Sequence, residues 1–448
     1  MKKRAIFTLV TGMLVVSGSL SVATAAQARS TARHQAIRAA AATSDPEYSP
    51  LQPLAGSISE LGESSYASTY AGVQISGGAL DIYVVPGDDS AFLSAVAALD
   101  TANLPFTVVD VSQSYATQAA TSQWLADNDS ALQSQGINPG WWGSDPADNA
   151  IRVALQSPTS AQLTQLQTTA ARVLPAAAAA QVLPAGTAIT LGNYLPVAAA
   201  VLNAQVPSPG GIVVYPTLLG AGQQASGYND TTPFYGADQI KYTLSNTATC
   251  TSNFSFNGAA NPNNHWVFTA AHCSGAASGR NFYTCASHSS SGDCNYNVGT
   301  VSTVYYNGQD FESIGPSSNA GYVWNDSNAS LWSVNGYFEA DPGVYVTVDG
   351  EANGAHYGNY VIEGGGSTCV SYSGHLTCNA IVIETGTSEL CIPGDSGGPV
   401  LQRESDGYHI YAVGMILGFD NTSDGDFCYA QQISYIRNTA NVRLIWGN

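Results

Sequence analysis

Apolar and polar positions along this chain change rhythm several times. An uncharged, largely apolar run extends from Ala5 to Val22, and between about residues 29 and 62 Ala, Ser, Thr and Arg follow one another with little periodicity. Order begins near residue 65. Leu80, Ile82 and Val84 alternate with other residues, the period of a half-buried strand, and Pro86-Gly87 breaks it. Asp88 or Asp89 then caps a helix with Phe92, Val96 and Leu99 on one face. Residues 106–111 read as a second strand, a helical stretch follows to near Gly136, and Ile151, Val153 and Leu155 mark another strand. Ser157-Pro158 has the form of an N-cap followed by proline at the first helical position. Beyond it Leu163, Leu166, Ala170 and Val173 give a helix an apolar stripe, which we read as core. The region of about 65–195 therefore predicts a small α+β module. Residues of about 196–227, with P-S-P-G-G and G-A-G, have the composition of a linker. After them short Tyr-, Val- and Thr-rich segments alternate with Gly, Asn, Ser and Asp clusters, and helical period returns only in the last dozen residues. That pattern predicts an all-β barrel or sandwich.

Composition narrows the partners. Apolar residues make up 44% of the 448, enough for a sizeable core. Acids outnumber bases 32 to 13, for a net charge of −19. Binding to phosphate backbones or to anionic membrane surfaces needs clustered Lys and Arg, so neither nucleic acid nor membrane is expected as a partner. The few bases at the start are informative. Lys2, Lys3 and Arg4 precede the apolar run, and small residues follow it as A-T-A-A-Q-A, with cleavage expected after Ala25 or Ala28. This is the layout of a secretory signal peptide over residues 1–28. A membrane anchor is the other reading of such a run, but its shortness and the small-residue site favour removal. The expected location is extracellular.

Cysteine usage agrees with export. All eight cysteines lie from Cys250 onward, and an even count in an exported chain predicts disulfides. Sequence leaves the connectivity open. We take the sequential pairing Cys250–Cys273, Cys285–Cys294, Cys369–Cys378 and Cys391–Cys428, which closes four local loops. No C-x-x-C or regular Cys/His cluster calls for a metal, and no cofactor is expected.

Two short segments carry chemistry. In W-V-F-T-A-A-H-C (266–273) a hydrophobic strand end delivers His272 beside a cysteine. In C-I-P-G-D-S-G-G-P-V (391–400) Ser396 sits among glycines, which let the backbone take a tight turn and a reactant approach closely. Such a turn can aim the amides of Gly394 and Ser396 at one point, where they would stabilise charge developing on a carbonyl oxygen. A serine hydroxyl needs a base to take its proton, and a histidine in that role needs an acid to orient it. Asp310, in Q-D-F-E-S-I, precedes an alternating apolar pattern and is the preferred acid; Asp326, in W-N-D-S-N, is the fallback. Asp395 is expected to shape the oxyanion loop.

These segments resemble the chymotrypsin-like serine proteases, most closely the bacterial streptogrisin and α-lytic protease branch. The resemblance covers residues 234–448 and rests on T-A-A-H-C and G-D-S-G-G-P-V, in that order with an acid between. It implies a double six-stranded antiparallel β-barrel with the site between barrels, His272 as general base, Asp310 as its orienting acid and Ser396 as nucleophile. It also favours Cys250–Cys273 around the histidine and Cys391–Cys428 across the specificity pocket. Upstream, Y-A-G-V-Q-I near Tyr70 and W-W-G-S-D-P-A-D-N-A-I-R-V from Trp141 are similar to that branch's pro-region, implying a segment that assists folding, blocks the cleft and is cut away. The expected division is 1–28 signal peptide, 29–227 propeptide and 228–448 serine protease domain, acting as a monomer on protein or peptide substrates. C-I-P-G-D-S departs slightly from the branch's spacing, which leaves the pocket wall open. Candidate pocket residues are Glu389, Leu417, Gly418 and Phe419. The competing readings are a catalytically silent secreted binding protein on the same fold, and an esterase. G-D-S-G-G satisfies the esterase pattern G-x-S-x-G, but the order His, Asp, Ser is that of the proteases.

Overall fold

The computed structural model describes residues 50–156, 190–191, 212–217 and 232–447, apart from 77, 88, 136–138, 148, 243–248, 285–295, 326–329, 373–374, 385–389, 405 and 423–424. The leader at 1–28, the stripe from Leu163 to Val173 and most of the linker lie outside the described residues.

The α+β unit begins earlier than the hydrophobic pattern indicated. Helix α1 (Leu51–Ser65) occupies what reads in sequence as a loose lead-in, and it buries Leu51, Leu54, Ala55 and Ile58. That spacing is one apolar helix face, thinned in sequence by intervening glycines and serines. It packs on the hairpin β1 (Tyr70–Ser76) and β2 (Ala79–Val84), with Leu80, Ile82 and Val84 turned into the same core. Helix α2 (Ser90–Leu99) adds Phe92 and Val96, whereas Leu99 stays exposed. Asp89 occupies its N-cap position without making a side-chain cap. Strand β3 (Phe106–Asp110) runs parallel to β2. Helix α3 (Tyr115–Ser134) starts at Ser114, whose Oγ accepts the Thr117 N–H at 3.4 Å, a side-chain cap. Strands β4 (Pro139–Asp145) and β5 (Ala150–Gln156) form an antiparallel pair. Short strands β6 (Thr190–Leu191) and β7 (Ile212–Thr217) continue that sheet in parallel.

From residue 234 onward the chain is nearly all strand. Strands β8 (Phe234–Gly236), β9 (Gln239–Ile240) and β10 (Cys250–Thr251) lead into β11 (Ser255–Gly258), β12 (His265–Thr269), β13 (Asn281–Thr284), β14 (Tyr296–Tyr305) and β15 (Phe311–Gly315). Then come β16 (Asn319–Asn325), β17 (Ser330–Tyr337), β18 (Tyr345–Gly350), β19 (Gly354–Glu363), β20 (Cys369–Tyr372) and β21 (His375–Cys378). The chain ends with β22 (Ala380–Glu384), β23 (Pro399–Arg403), β24 (His409–Thr422), β25 (Gly425–Gln432), helix α4 (Ile433–Ala440) and β26 (Val442–Leu444).

Two six-stranded antiparallel structures result. The first has the order β13-β14-β15-β12-β11-β26, so the last strand of the chain completes it. Phe256, Phe268 and Phe311 fill its interior, with the first two rings 4.7 Å apart edge to face. The second is a closed ring, β18-β19-β22-β25-β24-β23, shut by pairing of β23 back onto β18. Closure leaves the ring without free edges. Its interior holds Val348, Val361, Ile381, Ile383, Val400, Val413 and Ile416. The expected architecture, two six-stranded antiparallel β structures behind a small α+β unit, is therefore the one observed.

The α+β unit does not stand apart. Strand β4 pairs with β20, Trp142 opposite Cys369 and Trp141 opposite Val370, so the hairpin β20–β21 and the upstream strands share one six-stranded sheet. Trp141, Ala150 and Ala154 belong to the same hydrophobic cluster as Val370 and Tyr372.

Candidate active site

The register of two strands brings His272 to Asp310. Strand β12 pairs with β15 so that Thr269 lies opposite Glu312. His272, in the 3-10 turn Ala271–Ser274 that follows β12, and Asp310, just ahead of β15, therefore meet at the same end of the sheet. His272 Nδ1 is 2.5 Å from Asp310 Oδ2, and the His272 backbone N–H donates to Oδ1 at 2.9 Å. The carboxylate is fully buried, while about a third of the imidazole side chain (32%) faces solvent. Burial alone would raise the Asp310 carboxyl, but the His272 hydrogen bond and charge, helped by the Tyr372 hydroxyl, hold it below its ordinary value. Asp310 thus stays ionised and fixes Nδ1 as the donor, leaving Nε2 to accept a proton. Asp326, the fallback acid, lies outside the described residues.

Ser396 sits in the turn between Cys391 and β23. Gly394 and Gly397 have φ of +115° and +90°, conformations that L side chains rarely adopt. At Gly397 there is also no room: a Cβ would lie 2.1 Å from Thr269 Oγ1 and 2.3 Å from the Thr251 carbonyl. The serine turn is therefore seated directly against the segment that carries His272. Asn253 Nδ2 donates to the carbonyls of Gly397 and Gly398 at 3.1 and 3.2 Å, Thr251 Oγ1 donates to the Gly394 carbonyl at 2.8 Å, and the Thr251 amide donates to the Ser396 carbonyl at 2.8 Å. Among the described residues no hydrogen bond joins the Ser396 hydroxyl to His272. Such contacts are often long in a free site and tighten around the reactant.

The amides of the same turn divide into two sets. Those of Asp395, Gly397 and Gly398 donate to Ile392, Ile416 and Asp395 carbonyls. Those of Gly394 and Ser396 take no backbone acceptor among the described residues, so both remain able to bind an incoming oxygen. The Asp395 carboxylate accepts the amides of Ile392 (2.9 Å), Ala352 (3.0 Å) and Asn353 (3.1 Å), which locks the turn's shape. Burial pushes Asp395 up to about 7, against those three donors.

Disulfides frame both halves. Cys250–Cys273 ties β10 to the histidine turn, Cys391–Cys428 ties the serine loop to β25, and Cys369–Cys378 closes the β20–β21 hairpin. Cys285 and Cys294 lie outside the described residues. The sulfurs beside His272 are consumed in a bridge and are not thiolate ligands for a metal.

Of the candidate pocket residues, Glu389 lies outside the described residues. Leu417 is fully buried and its side chain belongs to the hydrophobic core. Gly418 and Phe419 are half-buried, and a Cβ on Gly418 would meet the Tyr372 ring at 3.3 Å. Two further groups at the site carry no motif. Tyr372 donates its hydroxyl to Asp310 Oδ2. Glu312 receives the Ser274 hydroxyl at 2.5 Å and is raised to about 8 by burial, so it stays largely protonated beside the ionised Asp310. The alternation around Asp310 placed Glu312 on a strand; nothing in sequence separates Tyr372 from the other tyrosines.

Comparison with known proteins returns no matching family model and no matching curated protein. Solved structures similar to this chain include the Nocardiopsis protease NAPase (19% identity, 47% of this chain, 98% of that one, TM-score 0.36). Thermobifida fusca Protease A is 20% identical over 48% of this chain and 98% of its own, with a TM-score of 0.36. Cellulomonas bogoriensis chymotrypsin is 23% identical over 47% and 97%, with a TM-score of 0.35. Likeness of this degree carries no argument for this chain, whose fold stands on its own strand pairing.

Proposed function

We propose that this protein is a secreted serine endopeptidase made as a proenzyme, cutting peptide bonds through an acyl-enzyme on Ser396. The observation that carries the reading is the arrangement at the serine turn: an ionised Asp310 holding His272 Nδ1, and a rigid turn with two unused amides. In this mechanism His272 Nε2 removes the Ser396 proton as the oxygen attacks the scissile carbonyl, and Asp310 stabilises the imidazolium formed. The amides of Gly394 and Ser396 receive the oxyanion, each such donor lowering the barrier by about 2.7–4 kcal/mol. His272 then returns the proton to the leaving amine, and water repeats the sequence in reverse to free the enzyme.

The division into leader (1–28), pro-region (29–227) and protease domain (228–448) belongs to the same proposal. Its support is the continuous sheet through β4 and β20 and the shared core, which let the upstream unit act as a folding template and inhibitor. The test is labelling of the secreted product of the full chain with a fluorophosphonate, beside Ser396→Ala, with N-terminal sequencing of the labelled species. Labelling of a shortened species that is absent in Ser396→Ala is expected. A folded, processed product that does not label overturns the protease reading in favour of a silent binding protein.

A further inference from the structure

The acid of the site is gripped from a second direction. The disulfide-closed hairpin β20–β21 lies across the loop that delivers Asp310 and touches it at successive residues. The Cys378 amide donates to the Gly308 carbonyl at 3.2 Å, His375 Nε2 is 2.7 Å from the Gln309 carbonyl, and the Tyr372 hydroxyl donates to Asp310 Oδ2. Gln431 braces the same junction, its Nε2 donating to the Cys378 carbonyl at 3.0 Å and its Oε1 accepting the Asp310 amide at 3.4 Å. His375 in turn stacks on Tyr306, ring centroids 3.8 Å apart. The Tyr372 ring stands edge-on to His272 with centroids 6.2 Å apart.

We propose that Tyr372 is a positioning residue for the catalytic acid, its phenol sharing with His272 Nδ1 the one carboxylate oxygen, Asp310 Oδ2, on which the imidazole depends. The inference rests on the triad reading above. Its physical content is a competition: two donors on one oxygen divide its charge, so the phenol sets how strongly Asp310 holds an imidazolium. The phenol remains a donor because burial, then the Asp310 charge, keep its own ionisation well above the ordinary tyrosine range. Among the described residues the other titratable groups acting on Asp310 are Glu312 and Tyr306; His375 packs beside them with its ring centroid 6.2 Å from that of Tyr372, and the test leaves all three unchanged. The hairpin that holds Tyr372 is itself paired to β4 of the upstream unit.

The test uses the secreted product of the full chain with Tyr372→Phe, with 3-fluorotyrosine installed at position 372, and with Ser396→Ala. Fluorophosphonate titration counts active sites, and the labelling rate per site and kcat/KM are followed against pH. Removing the phenol leaves more charge for the imidazolium, so the acid limb of the profile moves to higher pH. The more acidic fluorophenol withdraws more charge, so the limb moves to lower pH. The phenylalanine variant also loses about tenfold in rate per titrated site, with KM little changed. A wild type that labels, with all three side chains at position 372 giving the same limb and rate per site, reduces Tyr372 to packing and overturns the proposal while the triad reading stands. A wild type that does not label, or labelling that survives in Ser396→Ala, overturns both together. A phenylalanine variant that is not secreted folded leaves the fluorotyrosine arm, with a nearly unchanged ring, to decide.

Discussion

The Asp395 carboxylate stands next to the serine in sequence, yet its oxygens are committed to the amides of Ile392, Ala352 and Asn353. In the proposed mechanism a carboxylate placed in this way acts by holding the backbone that carries the amides of Gly394 and Ser396, the two groups proposed to receive the oxyanion. Asp395→Ala takes this acceptor from the buried amides of Ile392 and Ala352, each costing about 1–3 kcal/mol, and from the half-buried amide of Asn353. Thermal unfolding should shift to lower temperature, and fluorophosphonate labelling should slow by about tenfold or more. Asp395→Asn keeps the oxygen that receives Ala352 and Asn353, so it should recover much of both losses. An asparagine variant that unfolds like the wild type but labels like the alanine variant would instead assign Asp395 a proton-transfer role. At this scale the sequence is readable where candidate residues sit in contiguous motifs, as His272 and Ser396 do. Asp310 is readable through its place before an alternating strand. Tyr372 is not readable: it lies 62 residues from Asp310 in sequence, and only folding brings its hydroxyl there.

Elements were legible in proportion to how one-sided their burial is. Strand β2 alternates and stands out. Strand β4 is buried at every position from Pro139 to Asp145, so alternation cannot reveal it, and helix α1 hides its stripe among glycines and serines. The partner of β4 is less visible still, because edge-to-edge pairing with β20 uses backbone groups that every sequence supplies. Side chains nevertheless strengthen that junction. Arg152 on β5 makes ion pairs with Asp145 at the end of β4 and, at 3.2 Å through Nη1, with Glu363 at the end of β19. Both acids are buried, and removing the guanidinium takes from each its ion-pair partner in a low-dielectric setting. Breaking such a pair costs about 3–5 kcal/mol. Arg152→Ala should therefore lower the urea midpoint of the full chain, while Glu363→Gln with Arg152→Met should restore part of it. A midpoint unchanged in Arg152→Ala would show that the junction stands on backbone pairing and the tryptophans alone.

Across the whole molecule, the contact between α1 and the β half is unusual in its charge. Glu63 on α1 accepts the Gly366 amide at 3.2 Å and the Tyr115 hydroxyl at 2.9 Å, and Ser59 donates to Asp341 at 2.5 Å. Glu339 accepts the Ser434 hydroxyl at 3.2 Å, and Glu60 and Tyr70 complete the titratable groups around them. Among the described residues no cation offsets the charge of these acids. Burial, and then mutual repulsion, push Glu63 up to about 7, Glu339 up to about 8, and Asp341 well above its ordinary value. An acid whose folded value is raised binds its proton more tightly in the folded chain. Its contribution to stability is full below the unfolded value near 4.5 and is lost as pH rises toward 7–8. Docking of α1 onto the β half should therefore be firmer at pH 5 than at pH 9, with Asp341, the most enclosed of the three, contributing most. Hydrogen exchange of the α1 amides in the Ser396→Ala chain reads this directly, because the substitution removes the proposed nucleophile and with it any cleavage that nucleophile would perform. Exchange corrected for its intrinsic pH dependence should accelerate from pH 5 to pH 9, and Asp341→Asn should flatten the rise. A flat profile in the parent chain would mean that these acids bind protons equally with α1 docked and undocked, or that α1 docks through uncharged contacts such as the Gln402 side-chain amide donating to Gln52 Oε1. A stronger acceleration confined to α1 and its neighbours would identify the acid cluster as the point where the upstream unit first loosens from the β half.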